Sequence, residues 1–143
     1  MCAKKFLSQN YLLEKEVMLL QEQLARANAL AEKCTASYGR MKVQTSGQGG
    51  LDSAFIRIQR VREELNAAII RLQDTRRAIE ETISQVSNDK SRLVLEYRYL
   101  CCKKGMESIA AELDISRSYA YVLEAAGLRE VEQILIGRSN HVA

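Results

Sequence analysis

The sequence predicts an all-α protein: a long antiparallel coiled-coil hairpin followed by a three-helix helix-turn-helix head. Three observations lead there. The 143-residue chain contains no proline and is rich in Leu, Ala, Glu, Arg and Gln, all good helix formers. Two long stretches repeat apolar residues at alternating steps of four and three, the mark of a heptad seam. A third stretch, Met106 to Leu123, spaces its apolar residues and caps as two short helices across a tight turn.

The first seam runs through Leu13, Val17, Leu20, Leu24, Ala27, Ala31, Cys34, Tyr38 and Met41. The segment TSGQGG, Thr45 to Gly50, then places three glycines in four positions. Glycine loses the most backbone freedom in a helix, so a break is expected at 45–50. The seam restarts as Leu51, Phe55, Ile58, Arg62, Leu65, Ile69, Leu72, Arg76, Ile79, Ile83 and Val86. Each seam spans roughly 35 residues, on the order of 50 Å at the helical rise. Matched lengths around a glycine break predict a hairpin over residues 1–88. The spacing leaves open whether the seams pair within one chain or between two. Arg62 and Arg76 are expected to lay their aliphatic stems on the seam and turn their heads to acidic neighbours.

A second apolar row, with Phe6, Leu12, Leu19 and Leu30 on the first helix and Ile56 and Ile70 on the second, widens the sticky face. A two-helix hairpin buries little surface alone, so two hairpins are expected to pair as a homodimer. The candidate oligomerisation residues are Leu13, Val17, Leu20, Leu24, Leu51, Phe55, Ile58, Leu65, Ile69, Leu72, Ile79 and Ile83.

Ser87, Asn88 and Asp89 favour turns and caps and end the second long helix. Ser91 can start the next, Arg92 to Cys102, with Leu93, Val94, Tyr97 and Leu100 on one side. This is the support helix of a head expected over 91–137. After the Lys103-Lys104-Gly105 turn, Ile109, Ala110 and Leu113 form the inner face of a short helix. Ile115 plugs the turn, and Ser116 stands where its hydroxyl can cap a second helix. Ala120 and Leu123 return to the same core. Gly127 is either an interior helix residue or a cap that makes Leu128 to Ile136 a helix of its own.

Composition excludes several functions. The formal net charge is only +3, and residues 91–143 carry 7 basic and 7 acidic side chains. Any phosphate-binding surface must therefore arise from local sorting of charge or from dimerisation. The four cysteines, Cys2, Cys34, Cys101 and Cys102, form no C-x-x-C pair, and the only histidine is His141. Neither a metal site nor a disulfide framework is expected, and reduced thiols fit a cytoplasmic setting. There is no run of membrane-span length and no signal-peptide core. Without a nucleophile–base pair or a phosphate-cradling loop, an enzyme is not expected, nor is a cofactor.

The string from Val94 to Leu128 resembles the carboxy-terminal head of phage-encoded late-transcription regulators of the RinA/ArpU type. Those heads are in turn similar to the domain 4 helix-turn-helix of bacterial sigma factors. The residues that carry the resemblance are Leu95, Glu96, Arg98, Tyr99 and Leu100, then Ile109-Ala110, Glu112-Leu113, Ile115-Ser116, Tyr121 and Leu128. A helical N-terminal region broken by a Gly-rich patch, as at Ser46 to Gly50, extends the resemblance over most of residues 40–136. Met106, Ala120, Val122 and Gly127 depart from the pattern. The resemblance implies a sequence-specific, DNA-binding transcription regulator that acts on late genes in a bacterial host cytoplasm.

With Ala120 inward, 100° per residue turns Ser118, Tyr121, Val122 and Ala125 outward. Arg117, at the start of the second motif helix, is the candidate for a guanine or phosphate contact. Ser118 and Tyr121 can donate to phosphates or bases, and Val122 can meet a thymine methyl group. Lys103 and Lys104 are candidate backbone contacts. The expected partners are double-stranded DNA, a second copy of the chain, and RNA polymerase as a candidate protein partner. Two further readings stand beside this one. One is a DNA-packaging recognition subunit of the small-terminase kind; the other is an adaptor whose head docks on the transcription machinery.

Overall fold

The computed structural model describes residues 2–40, 48–101 and 105–142, with side chains at 2–33, 52–101 and 105–140. Its elements are helices α1 (Ala3–Arg40), α2 (Gln48–Ser84), α3 (Asp89–Leu95), α4 (Met106–Glu112) and α5 (Arg117–Val142). A π-helical turn, Glu96–Leu100, continues α3. The protein is all-α. Among the described residues, no helix is long and apolar enough to cross a membrane.

The chain divides into two compact units, one of residues 14–71 and the other of residues 1–13 together with 72–143. This differs from the expected boundary between 88 and 91. The reason is that the first turns of α1 and the last turns of α2 share a core with the helices that follow.

In the 14–71 unit, α1 and α2 run antiparallel within one chain. Ala27 and Ala31 pack on Ile58, with Leu24 and Ala54 beside them. Further along, Arg71 Nη2 donates to Glu16 Oε1 at 2.9 Å. Both partners of that ion pair are about half exposed, so it contributes at most about 1 kcal/mol. Val17, Leu20, Ala27 and Ala31 are buried as the first seam requires, while Leu13 and Leu24 are half-buried.

The second seam needs a correction. Ile58, Ile79, Ile83 and Val86 are buried, and Leu65, Ile69 and Leu72 are half-buried. Phe55 and Arg62, however, are exposed, and Val61, Ala68 and Thr82 take the buried places. The row that closes the seam in the 14–71 unit is thus 61 and 68, one residue earlier than 62 and 69, while at the end of α2 both Thr82 and Ile83 are buried. Arg76 is half-buried, with Nε 4.0 Å from Glu80 one turn away. The glycine break is also shorter than expected, because α2 begins at Gln48 and contains Gly49 and Gly50. At the N-terminal end of a helix the backbone N–H groups have no intrahelical partner, so glycine is tolerated there. Thr45 to Gly47 lie outside the described residues, as does the side chain of Leu51.

The other unit has two cores with α3 between them. Ala3 and Leu7 of α1 pack with Ile79, Ile83 and Val86, with Leu95 and Tyr99, and with Val131 of α5. On the opposite side of α3, Val94 packs with Met106, Ile109, Ala110, Ala120 and Leu123. Helix α3 starts earlier than expected. Asn88 is its cap, its side-chain oxygen accepting from Lys90 N at 2.9 Å and Ser91 N at 3.2 Å. Ser91 is therefore not a cap but is fully buried. The inner residues are Ser91, Val94, Leu95 and Tyr99, and Leu93 is exposed. Leu95 and Tyr99, four residues apart, face one core and Val94 the other. Cys101 N donates to Glu96 O at 2.9 Å, the wider bond that closes the π turn.

Candidate nucleic-acid interface

The turn between α4 and α5 is a Schellman motif followed by a cap. Ile115 N reaches back to Ala110 O at 3.0 Å and Asp114 N to Ala111 O at 3.3 Å. Asp114, with φ 54°, supplies the left-handed residue that reverses the chain, a conformation Asp tolerates. Ile115 then drops onto the core below Ala110. Ser116 caps α5 as its position predicts, its Oγ accepting from Tyr119 N at 3.1 Å. At the other end of α4, Gly105 adopts φ 91° and ψ 133°, which L side chains rarely adopt, and so turns the chain into the motif.

These two turns fix the face of α5. Ala120 and Leu123 are buried, and Arg117, Ser118, Tyr121, Val122 and Ala125 are exposed. The outward set expected from the sequence is brought together on one surface. Lys103 and Lys104 lie outside the described residues.

Arg117 does not project alone. Its Nη1 donates to Glu107 Oε1 of α4 at 3.2 Å, and its guanidinium stands 5.9 Å from the centre of the Tyr121 ring. The ion pair is well exposed on both sides and therefore easily exchanged for another anion. The ring and the carboxylate hold the guanidinium over the first turn of α5. Tyr119 is also exposed, with Lys90 Nζ of α3 5.8 Å from its ring centre.

Behind this face lies a buried ion pair. Glu124, only 5% exposed, points inward from α5, and Arg98 Nη1 of the π turn lies 3.0 Å from its Oε2. Arg98 also reaches the Met106 sulfur at 4.0 Å, so one guanidinium ties the π turn to α4 and α5. Burial and the nearby Glu124 carboxylate push the Tyr99 phenol up to about 12, outweighing Arg98, which pulls it down. Asn10 of α1 donates from Nδ2 to the Tyr99 carbonyl at 3.1 Å, near the end of the π turn.

Helix α5 is continuous through Gly127, which is therefore an interior helix residue and not a cap. A Cβ there would stand 2.9 Å from Leu95 Cδ1 and 3.2 Å from its Cγ, with Ser91 Cβ at 3.5 Å. The glycine is the contact point of α3 on α5. Beyond it, Glu130 Oε1 accepts from Ser87 N at 3.2 Å and Ser87 Oγ at 2.6 Å, and Arg138 Nη1 donates to Thr82 Oγ1 at 2.7 Å. The helix that carries the outward face is thus anchored along its length to the end of α2.

Glu124 and Gly127 were not among the residues the sequence singled out for the site. A carboxylate at an inward position, one turn after Ala120, was the available signal for the first. A family model described as a protein of unknown function, DUF1492, matches residues 33–132. No curated protein and no solved structure matches the chain.

Proposed function

The chain belongs to the DUF1492 family, described as proteins of unknown function, and for it we propose a sequence-specific DNA-binding transcription regulator that acts as a homodimer. The observation that carries this reading is the outward face of α5. Ser116 caps that helix, the Schellman turn sets its angle to α4, and Arg117, Ser118, Tyr121 and Val122 share its exposed side. A helix presented this way fits the major groove with its first turns at base edges. Arg117 is the guanine or phosphate contact, released from Glu107 as DNA replaces that carboxylate. Tyr121 holds the guanidinium by its ring and offers a hydroxyl to the backbone. The phage setting and late genes rest on the resemblance to RinA/ArpU-type heads. Charge balance makes one head a weak binder, and two linked heads gain affinity through effective concentration.

The test is binding of the full chain to a random duplex library at low and moderate salt. Selected sites should bind at least about fivefold more weakly after Arg117→Ala, since a bidentate base contact is worth about 1–3 kcal/mol. Glu107→Gln, which removes the competing carboxylate, should tighten binding. Equal retention of all duplexes by parent and variant would remove the reading.

A second reading is favoured by one observation. Tyr119, Tyr121 and Val122 are each more than two-fifths exposed on a face where Arg117 is paired with Glu107. Such a surface also suits a protein, and an adaptor docking on RNA polymerase would use it. Capture of polymerase that is lost on Val122→Asp, without any duplex preference, would select this alternative.

A further inference from the structure

We propose that Lys90, set against the Tyr119 ring on the α3 side of the α5 face, grips the phosphodiester backbone of duplex DNA. This rests on the DNA-binding reading above and adds where the backbone is held. Counting 100° per residue from the inward Ala120, Ser118 and Val122 stand about 160° and about 200° round α5. Arg117 and Tyr121 fall at about 60° and about 100°, and Tyr119 at about 260°. The outward face therefore has a centre and two flanks. Side-chain contacts identify the helix that borders each one. Arg117 meets Glu107 of α4, and Tyr119 meets Lys90 of α3.

The two flanks differ in charge. On the α4 side a carboxylate 3.2 Å from the Arg117 guanidinium must be displaced before a phosphate can take its place. On the α3 side, Asp89, the acid next to Lys90 in sequence, is already engaged by Arg92. Among the described residues the Lys90 ammonium forms no ion pair; its neighbour is the Tyr119 ring, 5.8 Å away at the centre. A ring holds a cation through its quadrupole and leaves the positive charge unneutralised, so the charge remains for an anion. Lys90 is exposed and Tyr119 is 42% exposed, which leaves both open to a ligand.

Groove dimensions supply the rest. The major groove is about 12 Å wide, close to the diameter of a helix with its side chains. A helix seated there meets bases along its outward line and phosphates along its flanks. Ser118 and Val122 then face base edges, and Lys90 faces the strand on the α3 side. An ammonium is a compact charge with three rotatable donors, which suits a phosphate oxygen and carries no base preference. Helix α3 is packed on α5 at Gly127 through Ser91 and Leu95, so the grip also fixes the angle at which α5 enters the groove.

The test uses the full chain with one duplex selected from a random library and one unrelated duplex. Binding is measured between about 50 and about 200 mM salt, where each phosphate contact accounts for about three- to fourfold of the affinity lost. Lys90→Ala should weaken both duplexes by the same factor at low salt and remove that share of the salt dependence for each head engaged. Lys90→Arg, which keeps the charge, should restore the parent slope. Arg117→Ala should instead weaken the selected duplex more than the unrelated one. Tyr119→Leu reads the positioning role of the ring: Lys90→Ala should cost less in that background than in the parent. A neutral methylphosphonate walked along the selected duplex locates the contact. The parent should lose affinity at a phosphate where Lys90→Ala loses none. Far-UV circular dichroism should match the parent for every variant. A parent that selects duplexes while Lys90→Ala keeps the full slope and the same methylphosphonate profile overturns the grip and leaves the regulator. A parent that binds all duplexes alike, with the slope still reduced by Lys90→Ala, keeps the grip and removes sequence recognition. Retention of no duplex at any salt overturns both.

Discussion

Single residues decide how closely the helices of the 1–13/72–143 unit approach. At Gly127 a methyl group would press on Leu95, which is fully buried, so that side chain would have to shift within the core. Alanine would gain about 1 kcal/mol of helix propensity, but overpacking costs about 1–3 kcal/mol. Gly127→Ala should therefore lower the unfolding midpoint slightly and Gly127→Leu severely, as thermal melts would record. Tyr99 gives the pH prediction. Its phenol is held near 12 in the fold against 10.0 for an ordinary tyrosine. A folded pKa raised above the unfolded value means stability is complete below pH 10 and is lost as pH rises toward 12. One of the six tyrosines should ionise late in an ultraviolet titration, and Tyr99→Phe should flatten the alkaline loss of stability. Much at this scale was legible in the sequence. The Ser116 cap and the inward Ala120 and Leu123 follow from local chemistry alone. Gly127 and Ser91 did not, because each takes its meaning from the other, a neighbour distant in the chain.

Among the elements, the π turn carries most of the connections. It places Tyr99 in the core shared by α1, α2 and α5, and directs Arg98 between Met106 and Glu124. Removing the guanidinium with Arg98→Ala leaves the Glu124 carboxylate buried without its partner. The cost should be on the order of 3 kcal/mol. Replacing both, as Arg98→Met with Glu124→Leu, should recover most of it, and chemical denaturation of the single and double variants measures the difference. The seam register shows why elements were only partly legible. Positions 58, 65, 72 and 79 belong to either reading, and heptad spacing alone cannot say which flanking row closes the contact. The large residues Phe55 and Ile69 pointed to one row. The other row, Val61 and Ala68, is the one buried, and which row closes depends on the facing helix.

For the whole molecule, the site sits in a unit made from both ends of the described chain. Ala3, Leu7 and Asn10 support the same core that anchors α5, so the outward face depends on residues remote from it in sequence. Removing residues 2–10 would strip the buried Leu7 and its neighbours from that core. Burial of one leucine alone contributes about 1.5–3 kcal/mol. The truncated chain should lose at least that much stability in 72–143, seen as faster hydrogen exchange in α4 and α5, while α1–α2 contacts in 14–71 persist. The discontinuity also has a temporal meaning. Asn10 leaves the ribosome 89 residues before Tyr99. The first turns of α1 must therefore wait, their apolar side exposed, until α3 and α5 have been made. The hairpin can zip during synthesis, whereas the outward face of α5 is completed only afterwards, which makes the first turns of α1 a clasp that shuts last.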